Sequence, residues 1–258
     1  MCTLVVALGA LAGVPLAVSA NRNEFLARPS QPWSLWPEEE GAPRIAAPRD
    51  LQGGGTWQGV NQRGLFACIT NRRGAQLSSA RRSRGELVAR ALGCATLDEA
   101  RRRCAEVEGS SYNGFHLLVS DRHQAFVALG DGARVELREL PRGLHVITER
   151  SFGAGEGERE LKVRAEFVSL FSRGVRSLES LRAPMQRHSG EEAPLEAACV
   201  HAEAFGYGTR SSFQLLLTDH AAPRALFSEG HPCVTEPVDI SALLAPLFAQ
   251  GLAREDAR

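Results

Sequence analysis

The chain of 258 residues is 43% hydrophobic and 23% charged, the proportions of a globular protein with a sizeable core, as one large domain or two small ones. Thirty basic residues balance thirty acidic ones, which excludes a global field favouring nucleic acid; the arginine bias, with Lys162 the only lysine, is ascribed to genome composition. Six scattered cysteines, Cys2, Cys68, Cys94, Cys104, Cys199 and Cys233, make no CxxC pair and no Cys/His spacing of the kind metal sites use, so a reducing compartment, the cytoplasm, and no structural zinc are expected.

The opening stretch, MCTLVVALGALAGVPLAVSANRNE, permits two readings. Its apolar run 4–18 and the small residues Val18-Ser19-Ala20 match the middle and the cleavage site of a secretory signal, without the basic start. The uncharged span 2–20 is also just long enough for a membrane helix. Alternatively, 3–8 and 15–19 are two strands flanking a Gly-Ala-rich turn. Cutting after Ala20 would leave five cysteines, an awkward number for a disulfide framework.

Residues 28–48 carry four prolines ahead of position 45, Trp33, Trp36 and Glu38-Glu39-Glu40, and read as a long surface loop. A hairpin follows, with strands over 56–60 and 65–70 bracketing Asn61-Gln62-Arg63-Gly64. Helices are expected over 83–92 and 97–107, and strands over 114–120, 124–129, 135–140 and 144–148. The second half reads as a helix over 159–181, another over 193–204, strands over 212–218 and 224–227, and a terminal helix from Asp239. There is no repeat and no linker; 153–158 reads as a loop inside a single domain spanning 1–258.

Few residues stand out without further information. Arg81-Arg82-Ser83-Arg84-Gly85-Glu86 is the densest basic run and reads as a solvated helix start capped by Ser83, with Glu86 three positions later, before a phosphate patch is considered. The histidines at 116, 123, 145, 188, 201, 220 and 231 show no metal-ligand spacing, and His201 and Glu203 read as helix-surface positions. Gly53 to Gly55 suit a tight turn or a close backbone approach. Trp57 reads as core and Trp33 and Trp36 as loop anchors, before all three are considered as the lining of an acyl or planar-ligand site. By spacing alone, Cys2 is a small apolar residue buried on an edge strand and Asn71 the cap of a strand leading into Arg72-Arg73-Gly74.

Six segments, in order, carry a resemblance: CTLVVAL after Met1, ANRNEF at 20–25, GGGTWQGVNQRGLFACITNRR at 53–73, SRGELV at 83–88, YNGFHLLVSD at 112–121 and YGTRSS at 207–212. Together they resemble the NRDE family, to which the eukaryotic transport-and-Golgi-organisation protein two belongs, and in which the apolar start is the first hairpin. More distantly they resemble the cysteine branch of the N-terminal-nucleophile hydrolases. The resemblance implies an α+β fold, a four-layer αββα sandwich. It also implies that Met1 is removed, so that Cys2 carries both nucleophile and base: an α-amine of intrinsic pKa roughly 7.7–8 can take the proton of a thiol near 8.5.

The same resemblance makes Arg22 the arginine that favours the thiolate, Asn71 the side-chain donor of the oxyanion hole and Arg210 an arginine near the nucleophile. Asn21, Asn23, Glu24, Trp57 and Glu149 line the implied substrate site. Two departures weaken it. The signature Asn-Arg-Asp-Glu reads Asn21-Arg22-Asn23-Glu24 here, and Ile147-Thr148-Glu149 stands where the family has Leu-Ser-Asn, so a carboxylate that would repel an oxyanion replaces an amide. Two functions are therefore expected: a Cys2-dependent amide or thioester hydrolase or acyltransferase needing no cofactor, or a non-catalytic carrier of a small apolar ligand, acyl-CoA, lipid or haem. Neither involves nucleic acid or an integral membrane span.

Overall fold

In a computed structural model, which describes residues 2–174, 176–190, 193–219 and 221–255 with side chains to position 248, the apolar opening stretch is a hairpin. Met1 and His220, both named above, lie outside the described residues. In chain order the strands are β1 (Thr3–Leu11), β2 (Val14–Phe25), β3 (Ser30–Leu35), β4 (Ile45–Asp50), β5 (Gln58–Asn61), β6 (Phe66–Asn71), β7 (Phe115–Ser120), β8 (Ala125–Gly130), β9 (Val135–Leu140), β10 (Gly143–Ile147), β11 (His201–Ala202), β12 (Tyr207–Leu217), β13 (Arg224–Glu229) and β14 (Val238–Asp239). The helices are α1 (Gly85–Leu92), α2 (Leu97–Ala105), α3 (Glu158–Ser172), α4 (Leu178–Arg182) and α5 (Ser241–Glu255). The chain divides into two compact units, one built from 1–28, 142–219 and 223–241 and the other from 29–141, 220–222 and 242–258.

The first unit is an antiparallel sheet in the order β10-β1-β2-β12-β13-β14, with β11 added to β12. β1 and the first half of β2 are apolar and buried, as strands covered on both faces must be. Gly13, at φ +74°, supplies the left-handed residue of their two-residue turn. Removing 1–20 would take β1 and over half of β2, strands that lie between β10 and β12. On one face Val5, Ala7, Ala17, Val146 and Leu216 pack against Val163, Phe167 and Leu170 of α3 and Leu178 and Leu181 of α4.

The second unit is an antiparallel meander in sequential order from β3 to β9. Leu65, Ala67, Leu117, Val119, Phe126 and Ala128 meet Leu87, Val88, Ala91 and Leu92 of α1 and Leu97, Ala100 and Cys104 of α2. Thr96 caps α2, its hydroxyl accepting from the Glu99 amide at 3.2 Å. In α5 the side chains of Leu244, Leu247 and Phe248 are buried. No helix among the described residues is long and apolar enough to cross a membrane.

Four expectations need correction. Residues 28–48 are not a loop throughout: β3 and the start of β4 pair there, Pro32 being tolerated because β3 is an edge strand with a bulge between Gln31 and Ser34. The helix over 159–181 breaks into α3 and α4 at Gly174, φ +70°. Residues 193–204 are not helical; they form a 3₁₀ turn at Pro194–Glu196 and the short β11. Tertiary bonds win there, with the Val200 amide donating to Thr209 Oγ1 at 2.8 Å and the Cys199 amide to the Arg187 carbonyl at 2.9 Å. Finally, the arginine run is only partly solvated, with Arg82 exposed and paired with Glu86. Arg81 donates to the Gln76, Tyr112 and Gly132 carbonyls and Arg84 to the Gly114 carbonyl, while the cap position of α1 is Arg84, with Ser83 Oγ accepting from Gly85.

Candidate functional site

β1 begins at the end of the first sheet where β2 and β10 finish and β12 starts. Cys2, half-buried with a free thiol, stands directly before β1. Side chains alternate across a strand, so Thr3, Asn21 and Asn23 look toward the helices while Arg22 and Glu24 look to the other face. Bonds on the helix side bear this out. Asn21 Nδ2 donates to the carbonyls of Met185, at 2.8 Å, and Ala198, at 2.9 Å, and Asn23 Oδ1 accepts from the Thr209 hydroxyl at 2.7 Å. Asn21 therefore binds the sheet to its covering segments, while Asn23 bonds across to the neighbouring strand β12. Arg22 is buried, with Glu24 3.8 Å away, and Arg28 is 3.9 Å from the same carboxylate.

Tyr207 opens β12 and donates from its hydroxyl to the Asn23 carbonyl at 2.8 Å. Burial holds its phenol well above the usual tyrosine range, reinforced by negative charge at Cys2, Glu24 and Glu149 and opposed by Arg159. Glu149 lies in the turn after β10, two residues past Ile147, whose pairing with Leu4 is the last of the β1–β10 ladder at this end. Its carboxylate is ion-paired with Arg159 of α3, both side chains buried. Arg159 also donates to the Leu195 carbonyl at 2.9 Å, and its Nε finds no hydrogen-bond partner among the described residues.

Glu160, the next residue, holds the turn that presents Glu149. It accepts from Ser151 Oγ at 3.0 Å and Thr148 Oγ1 at 3.3 Å and meets Arg164 at 3.3 Å. Burial raises its carboxyl above the ordinary range, with Glu156 adding to the effect. Phe152 in the same turn takes φ +62°, a left-handed conformation rare for a bulky residue.

Arg210 is the extra residue of a β-bulge in β12, where Thr209 pairs with Asn23 but Ser211 with Arg22. Its guanidinium donates to the carbonyls of Leu26, at 2.8 Å, and Arg28, at 3.3 Å, fixing the chain as it leaves β2. Asn71 and Trp57 belong to the second unit. Asn71 is exposed at the end of β6, and Trp57 packs against the α1 and α2 core. Trp36 anchors its segment by donating from its indole nitrogen to the Ala47 carbonyl at 3.1 Å.

The structure thus groups Cys2, Arg22, Glu24 and Glu149 with two residues that the sequence reading did not single out, Tyr207 and Arg159. Tyr207 lies within the quoted YGTRSS segment; Arg159 carries no motif and is found only through the helix that aims it.

Residues 1–230 match the model of the family described as Transport and Golgi organisation 2. The human "Transport and Golgi organization protein 2 homolog" is 36% identical over 109 residues, 41% of this chain and 38% of that protein, and the bovine homologue 34% over 106 residues, with the same coverage. The matched stretch therefore spans well under half the length of these relatives. Among solved structures, a variant of conjugated bile acid hydrolase from Clostridium perfringens superposes with a TM-score of 0.61 at 10% identity, covering 93% of each chain. The Caenorhabditis elegans N-acylethanolamine-hydrolyzing acid amidase ortholog gives 0.57 at 13% identity, covering 83% of this chain and 92% of that one. At these identities the likeness shows the fold, the mixed α and β, antiparallel-sheet fold of the N-terminal-nucleophile hydrolases. From its first strand to beyond β13, the chain belongs to the Transport and Golgi organisation 2 family.

Proposed function

We propose that this protein transfers acyl groups through Cys2, cleaving an amide or thioester once Met1 has been removed. The observation that supports this most is the Glu149–Arg159 pair. A lone carboxylate beside the nucleophile would oppose an oxyanion; one bound to a buried guanidinium does so far less, and Arg159 keeps an unused Nε donor. The freed α-amine of Cys2 takes the thiol proton, the thiolate attacks the acyl carbon, and the leaving amine or thiol departs with that proton. The resulting thioester on Cys2 then passes its acyl group to water, which restores the thiol, or to another acceptor. Arg22 contributes a buried cation toward the thiolate's face of β2.

The alternative reading is a carrier of an apolar cargo, acyl-CoA, lipid or haem. It is favoured by exposed Phe25 and Phe205, which the Leu26 amide to Gly206 carbonyl bond, 2.7 Å, holds near each other at the mouth of β2 and β12. Intact mass of the purified protein, before and after exposure to an acyl-CoA or an N-acyl amide, separates the two. Loss of Met1 and one acyl adduct that forms and decays, absent from Cys2→Ala, supports transfer. Retained Met1, or reversible binding unchanged in Cys2→Ala, overturns it in favour of the carrier.

A further inference from the structure

The segments 187–190 and 193–203 and the loop after β13 bring together side chains that are far apart in sequence. Cys199 and Cys233 are both free, their sulfurs 3.6 Å apart. His201 Nε2 lies 3.1 Å from Cys233 Sγ and 3.6 Å from Cys199 Sγ. The donor atoms of His188, His201 and Cys233 all fall within 4.8 Å of one another. Around a tetrahedral zinc ion, with bonds of roughly 2.3 Å to sulfur and roughly 2.0–2.1 Å to nitrogen, neighbouring donors are separated by roughly 3.3–3.8 Å. The two sulfurs and His201 Nε2 already approach that spacing.

The surroundings of His201 set its tautomer. Its Nδ1 is 3.2 Å from the Glu203 carboxylate, which accepts only, so the proton sits on Nδ1 and the Nε2 lone pair faces the two sulfurs. Carboxylate behind imidazole is the outer-shell arrangement of metal-bound histidines. The His231 ring, stacked 4.0 Å from that of His201, fixes the plane of the ligand.

We propose that Cys199, Cys233, His201 and His188 form a zinc site, with Glu203 as the carboxylate orienting His201. Two thiolates with two imidazoles suit zinc, and binding releases two thiol protons to solvent as two metal–sulfur bonds form. The ion would tie the segment that supplies the Ala198 carbonyl to Asn21 onto the loop after β13. This site does not depend on the acyl-transfer reading.

The test is metal analysis of the full chain, reduced and purified without added metal, with the cobalt(II)-substituted protein examined by absorption spectroscopy. The expected result is one zinc per chain and, with cobalt, the visible ligand-field bands and near-ultraviolet charge-transfer band of a tetrahedral thiolate site. Both are retained in Cys2→Ser and Cys68→Ser and lost in Cys199→Ser, Cys233→Ser and His201→Ala. Glu203→Gln weakens zinc affinity by about 10- to 100-fold. Absence of stoichiometric metal or of thiolate bands in the fully reduced wild-type protein overturns the proposal, whether or not the variants fold. So does a Cys199–Cys233 disulfide in the protein as isolated under reducing conditions, or undiminished metal in a folded Cys233→Ser.

Discussion

The Glu149 carboxylate and the Arg159 guanidinium form a buried ion pair that joins the end of β10 to the first turn of α3. A glutamate that looks out of place in the sequence is thereby charge-balanced in the turn after β10. Truncating one partner leaves the other charge buried and alone, which costs about 3–5 kcal/mol. Glu149→Ala and Arg159→Ala should each lose about that much in urea unfolding, whereas the double variant Glu149→Leu/Arg159→Leu should lose clearly less than the two single losses combined. Additive losses would show that the two side chains do not interact.

Glu160 predicts a pH dependence. Its folded-state pKa is raised, chiefly by burial, so the folded protein holds this proton more tightly than the unfolded chain. The resulting stability is full below the unfolded value, about 4.3, and is lost as pH rises through the raised folded value. Wild type should therefore lose stability relative to Glu160→Gln as pH is taken from about 4 to 7, in paired urea titrations. A difference that stays constant, or grows in favour of wild type, would show that the Ser151, Thr148 and Arg164 contacts outweigh burial.

Gly55 and Gly85 meet backbone to backbone: a Cβ on Gly55 would lie 2.3 Å from the Gly85 carbonyl carbon, and the Thr56 amide donates to the Gly85 carbonyl at 3.2 Å. Gly54, at φ +76°, has open space where its Cβ would go. Gly55→Ala should cost about 3 kcal/mol, because α1 must move away from the loop before β5. Gly54→Ala should cost only the roughly 1–2 kcal/mol of a left-handed alanine. Thermal unfolding of the two variants should rank them in that order.

Much of the fold was legible in the chain itself. The continuous apolar runs of β1, β6 and β7, the Asn61 to Gly64 turn and the periodicity of α1 and α2 are local properties, since a buried strand needs an unbroken apolar run and a helix a repeating stripe. The edge strand β3 was not legible, because its proline and polar residues resemble a loop until β4 pairs with it. Nor was the irregular course of 193–204, whose hydrogen bonds go to Asn21, Thr209 and Arg187 instead of along a helix.

The site divides along the same line. By itself the sequence determined the family, the hairpin that begins after Cys2 and the presence of Arg22 beside two asparagines, because these lie in contiguous motifs whose spacing survives without a fold. Only the tertiary structure decided what each does. Strand alternation separated Arg22 from Asn21 and Asn23, helix α3 delivered Arg159 to Glu149, and the loop after β13 brought Cys233 to Cys199, His201 and His188. Charge balance and metal coordination depend on separations of a few ångströms between residues tens of positions apart, and that distance is set by packing.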